Sequence, residues 1–171
     1  MASSLYTPLD AGTWQFRVLR LLPDLQGTKV QCELQLHTII APPRYIALSY
    51  CWGDEIDRRP AVLKGTEISI TANLDEALQH LRATGVELVW VDALCINQND
   101  LQERSLQVRF MKQIYSKADA TYAWIGVAKM IGQSVVCSFY NKSLLAQYAS
   151  QMVSWGACPQ KKLSCSVFVE K

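Results

Sequence analysis

Hydrophobic and polar positions alternate early in the chain. Residues 14–22, WQFRVLRLL, carry Phe16, Val18 and a leucine pair and stop at Pro23-Asp24. Residues 29–40, KVQCELQLHTII, set Val30, Cys32, Leu34 and Leu36 against Gln31, Glu33 and Gln35. This period of two across Gln26-Gly27 predicts a hairpin with one wet face. A shorter hairpin is expected over residues 61–70, AVLKGTEISI, folded at Lys64-Gly65. Three stretches differ: 45–50 (YIALSY), 88–92 (LVWVD) and 120–126 (ATYAWIG) are almost continuously apolar, as strands covered on both faces are. Two helical segments separate them. In NLDEALQHLRATG, residues 73–85, Asn73 reads as the N-cap, Asp75 and Glu76 occupy the first turn, and Gly85 is the stop. Its apolar stripe is Leu74, Ala77, Leu78 and Leu81. In residues 101–119 the stripe is Leu106, Phe110, Met111, Ile114, Tyr115 and Ala118. Strand, helix, strand, helix, strand with short connections predicts an α/β fold: parallel strands near 45–50, 88–92 and 120–125, and helices 74–84 and 103–117 packed on the sheet.

After Gly126 this grammar stops, and charge sharpens the boundary. Residues 1–126 hold 12 basic and 14 acidic side chains, whereas residues 127–171 hold five lysines against Glu170 alone. Three of the six cysteines also fall there, at positions 137, 158 and 165. The chain is therefore expected to comprise an N-terminal segment (1–15), a core (16–126, with hairpin 16–40 and α/β part 45–126) and a divergent tail (127–171). A retained intron or truncated gene model is the expected origin of the tail, leaving an incomplete domain. A net charge of +2 on 171 residues makes neither nucleic acid nor an anionic membrane the expected partner. The start, MASSLYTPLDAG, shows no basic and then apolar leader. Scattered cysteines without a CxxC pair fit reduced thiols in the cytoplasm, and with only His37 and His80 to assist, no metal is expected.

Chemistry-bearing residues crowd where buried strands end. Ser49, Tyr50, Cys51, Trp52, Gly53 and Asp54 follow one strand; Asp92, Cys95, Asn97, Gln98, Asn99 and Asp100 follow another. Parallel sheets bind ligands in the crevice at the carboxyl ends of their strands, so both clusters are expected on one edge. Such side chains also serve the backbone of long connections, which is the structural alternative. Glu103 and Arg104 open the second helix; Glu103 gains there from the helix dipole, or else faces the crevice as a carboxylate. Cys51 and Cys95 lack a histidine placed by spacing, which argues against a cysteine hydrolase, and no glycine-rich phosphate loop is present.

Three blocks carry a resemblance: YIALSYCWGD, LVWVDALCINQND and ERSLQVRFMKQIYSKADATYAWIG. They resemble the heterokaryon incompatibility (HET) domain of filamentous fungi, matching at Tyr45, Ala47–Tyr50, Trp52–Asp54, Trp90, Asp92, Cys95–Gln98, Glu103, Arg104, Gln107 and onward to Trp124 and Gly126. The resemblance implies a cytoplasmic module in self/non-self recognition that triggers programmed cell death through protein partners or self-association. It also implies a TIR-like, flavodoxin-like sheet. Some TIR domains cleave NAD with a glutamate, so the alternative is an NAD-hydrolysing enzyme with Glu103 and Asp92 as catalytic acids and NAD as substrate, without other cofactor. In that reading Ser49, Tyr50, Trp52, Gly53, Asp54, Cys95, Asn97, Gln98 and Arg104 line the crevice.

Overall fold

The computed structural model describes residues 5–23, 29–50 and 56–124, and the backbone of 137–138. The hairpin pairs as expected, β1 (Gln15–Leu21) antiparallel with β2 (Gln31–Thr38), Phe16 opposite His37 and Leu21 opposite Cys32. The single wet face is corrected, since Phe16, Arg17, Val18 and Leu19 are all buried where β1 lies inside the sheet, and Leu36 is 45% exposed. The three apolar segments become β3 (Ile46–Tyr50), β6 (Leu88–Trp90) and β7 (Ala120–Trp124), with β3 in the middle and parallel to both. Numbered among themselves they run 2-1-3, the start of the flavodoxin-type winding order. The second hairpin is β4 (Arg58–Leu63) with β5 (Thr66–Thr71), three residues longer at its start than the alternation suggested. Lys64 at φ 51° and Gly65 at φ 77° make the tight turn, and two consecutive left-handed residues match the twist of the flanking strands.

These pieces join one eight-stranded sheet, ordered β5-β4-β2-β1-β6-β3-β7-β8, where β8 is Cys137–Ser138. The sheet is mixed rather than purely parallel. β1 meets β6 antiparallel through Leu19–Val89, and β2 meets β4 parallel through Gln31–Val62. The N-terminal hairpin is thus an integral part of the sheet.

Helix α1 (Ala72–Ala83) buries Leu74, Ala77, Leu78 and Leu81 as the period requires, with Asp75 beside them. Its N-cap is Thr71, whose hydroxyl accepts from the Leu74 amide, two residues earlier than the expected Asn73. Asn73 instead accepts from the Trp124 indole at 2.9 Å and ties α1 to β7. Gly85 ends the helix at φ 80°; its amide donates to Arg82 and that of Val86 to Leu81, the paired bonds of a Schellman stop.

The second expected helix is α3 (Leu101–Lys117), capped by Asp100, which accepts from the amides of Gln102 and Glu103. Its inward face departs from the apolar stripe. Ile114 is buried and Ala118 just beyond the helix is too, but Leu106, Phe110, Met111 and Tyr115 are half-buried, and the deepest remaining positions are Glu103 and Gln107. Gln107 is held by donating to the Gln15 carbonyl at 2.8 Å. A second correction concerns Asp92. Rather than ending a strand, it opens a four-residue helix, α2 (Asp92–Cys95), because the chain turns immediately after Val91. Among the described residues no helix is long and apolar enough to cross a membrane. The expectation of a divergent tail over 127–171 falls outside the described residues, β8 apart.

Candidate functional site

The carboxyl ends of β3 and β6 do lie side by side, since Ala47 pairs with Trp90. What they carry divides into two clusters. The first belongs to the strand ends. Asp92 Oδ1 accepts from the Ala93 amide at 2.7 Å, and the Gln98 side chain donates to the Asp92 carbonyl at 2.8 Å, closing the α2 turn. The Asp92 charge is felt by two phenols. Burial raises the Tyr50 pKa above its ordinary value, the Asp92 charge adds to this, and Arg58 opposes it. Tyr115 is pushed up by burial and then by Asp92, while a hydrogen bond with Ser49 works the other way. Both phenols therefore stay neutral hydrogen-bond donors at any physiological pH. The Tyr115 ring stands edge-on to Trp90 at 5.3 Å, and its hydroxyl donates to the Leu48 carbonyl at 3.4 Å. Ser49, Tyr50, Asp92, Gln98 and Tyr115 thus share this end of the sheet. Trp52, Gly53 and Asp54 lie outside the described residues, as do the segments that follow β3 and β7.

The second cluster centres on Glu103. Its Oε1 accepts from Arg17 Nη1 at 2.6 Å and from the Asn97 amide at 2.7 Å, and its Oε2 accepts from Arg17 Nη2 at 2.9 Å. Both partners are buried, with side chains 2% and 6% exposed. Arg17 donates also to the carbonyls of Cys95, at 3.2 Å, and Thr7, and the Tyr6 ring covers its guanidinium with the centroid 5.1 Å away. The guanidinium fork is the geometry that carboxylates bind best. It joins four stretches of chain: the N-terminal segment, β1, the turn after α2, and α3.

Asn97 therefore reaches Glu103 through its amide, and its side chain accepts from the Asn99 amide at 3.3 Å. Cys95 is 1% exposed, and burial pushes its thiol up to about 12, so it is no thiolate nucleophile. Of the histidines, His37 shares a hydrogen bond with Gln35 and His80 packs on Trp124. Arg104 points to solvent.

Sequence reasoning missed Arg17, Tyr6, Thr7 and Tyr115. Arg17 had a signal: by strand parity it shares a face with Leu19 and Leu21, so a charge was due on an inward face. Tyr6 and Thr7 had none, because an extended segment without period gives no direction. Tyr115 falls in the apolar stripe by its ring, which masks its hydroxyl.

A family model described as "Heterokaryon incompatibility protein (HET)" matches residues 45–159, more than half of the chain and past residue 126. The chain is also similar to heterokaryon incompatibility protein 6, OR allele, of Neurospora crassa, at 40% identity over 111 residues. That alignment covers 57% of this chain and 16% of the relative, so the chain spans about a sixth of that protein's length. No solved structure matches. Glu103 and Asp92 lie inside the family match and Arg17 lies before it, so the guanidinium paired with Glu103 comes from outside the matched span. The chain belongs to the heterokaryon incompatibility (HET) family.

Proposed function

We propose that the chain is a HET signalling module of fungal self/non-self recognition, acting in the cytoplasm and leading to programmed cell death through self-association or contact with a protein partner. One observation supports contact over turnover: the carboxylate best placed by sequence for catalysis, Glu103, is closed on itself. Its two oxygens take three donors, and the guanidinium that supplies two of them is held in turn by the Thr7 carbonyl. A glutamate attacking or stabilising a nucleoside must present an oxygen to the substrate, and here both oxygens hold the fold.

The test is expression in fungal hyphae alongside incubation of the purified chain with NAD. Loss of viability without NAD turnover supports the module. Turnover that vanishes in Glu103→Gln and Asp92→Asn would replace it with the hydrolase.

A further inference from the structure

The outward face of α3 is charged with one sign. Arg104, Arg109 and Lys112 are exposed on it and Lys117 at the helix's end, away from the other three, and the helix's one acid, Glu103, is turned into the core toward Arg17. Among the described residues none of the four cations forms an ion pair; the pairs found are Arg17–Glu103, Lys29–Glu67, Arg44–Asp119 and Arg59–Asp57. Two features make this face locally unfavourable. Arg104 sits in the first turn, where the helix dipole disfavours a cation. Arg109 and Lys112 are three residues apart, a spacing at which like charges repel on a helix surface.

Apolar side chains share the strip. Leu101 is 65% exposed at its start and Val108 is half-buried in its middle. At 100° per residue, Leu101, Ser105, Val108, Arg109 and Lys112 fall within one side of the helix. The aromatics nearby are not on it: Phe110 points to the core side, where its ring stacks on Trp14 at 5.1 Å.

We propose that this face of α3 docks an acidic, amphipathic protein segment, its carboxylates meeting Arg104, Arg109 and Lys112 and its apolar side chains meeting Leu101 and Val108. The proposal rests on the module reading and names the chemistry of its partner. A protein is favoured over the other polyanions because the strip offers aliphatic contacts and no ring. Single-stranded nucleic acid binds through stacking on aromatics, and anionic bilayers favour helices with bulky apolar residues opposite the cations.

The experiment measures binding of the 171-residue chain to a synthetic amphipathic helix of about 20 residues, long enough to lie along the ~25 Å of α3, with Glu flanking a Leu stripe. Its Gln-for-Glu analogue, phosphatidylserine–phosphatidylcholine vesicles and duplex DNA are the comparisons. The acidic peptide should bind, the Gln analogue should not, and Arg109→Gln with Lys112→Gln should weaken binding by about tenfold or more. Leu101→Ala should weaken it at unchanged salt dependence. Arg20→Gln, an exposed cation elsewhere, should leave it unchanged. Equal losses for Arg20→Gln and the α3 variants would overturn the proposal, as would binding to vesicles or DNA in preference to the peptide. These readouts involve neither cell death nor NAD, so they can fail while the module reading stands, and the reverse.

Discussion

Two clusters of polar side chains stand at neighbouring ends of the sheet, and they solve different problems. Around Glu103 every oxygen is occupied, the counter-ion is bidentate, and both charges are buried. Around Asp92 the carboxylate is half-buried, bonds the next amide in the chain, and its charge acts on two neutral phenols. The first holds four segments together. The second shapes a surface. Both were equally conspicuous in sequence, so the presence of an acid at a strand end says little about its work until its partners are known.

The sharpest way to break this contrast is Arg17→Met. It leaves Glu103 buried without a counter-charge, and urea unfolding should show a loss of about 3–5 kcal/mol. A smaller loss would mean that water reaches Glu103 and the cluster is not closed. Tyr6→Ala comes next. It uncovers the guanidinium, removes a half-buried ring and should lower stability by about 1–2 kcal/mol, with faster amide exchange at Asn97. An unchanged Asn97 would show that the N-terminal segment merely rests on the surface.

Asp92→Asn probes the other side. The amide keeps an acceptor for Ala93 and should cost below about 1 kcal/mol. If hyphal killing is lost at that small expense, the strand-end cluster is functional; a loss as large as that of Arg17→Met would place it with the structural cluster.

The smallest effect should come from Asp75, a buried acid with no guanidinium of its own. It is 4% exposed; one oxygen accepts from Gln79 at 2.7 Å and the other has no partner. Burial holds its pKa above the ordinary 3.8, against Gln79, Arg59 and Arg82. A raised folded value means that the folded state takes up the proton more readily. The native chain therefore loses stability as pH rises from 3.8 through the raised value. Asp75→Asn should remove that loss, so its stability relative to the native chain should climb over the same rise and level off above it. A flat difference would mean that Asp75 is solvated.

The parallel strands and both hairpins were legible because each depends on local periodicity and turn residues. Lys64-Gly65, for instance, announced its own geometry. The place of the hairpin in the sheet was not legible, since pairing between Leu19 and Val89 spans 70 positions and leaves no mark on either segment. The inward face of α3 misled for a physical reason. A stripe analysis assumes that burial follows apolarity, and Glu103 and Gln107 are buried through Arg17 and the Gln15 carbonyl, partners contributed by a distant strand. The strand-end cluster was half legible: Asp92 and Gln98 were identified, and Tyr115 was hidden by its amphipathic side chain.

Glu103 is proposed to hold the fold and to perform no chemistry. The most direct measurement is the double variant Arg17→Met with Glu103→Gln, followed by urea unfolding and hyphal killing together. Both charges are gone, and the glutamine oxygen remains to accept from the Asn97 amide. The double variant should regain most of the stability lost in Arg17→Met and should still kill. A double variant as stable as the native chain but unable to kill would contradict it, and would make Glu103 a functional carboxylate.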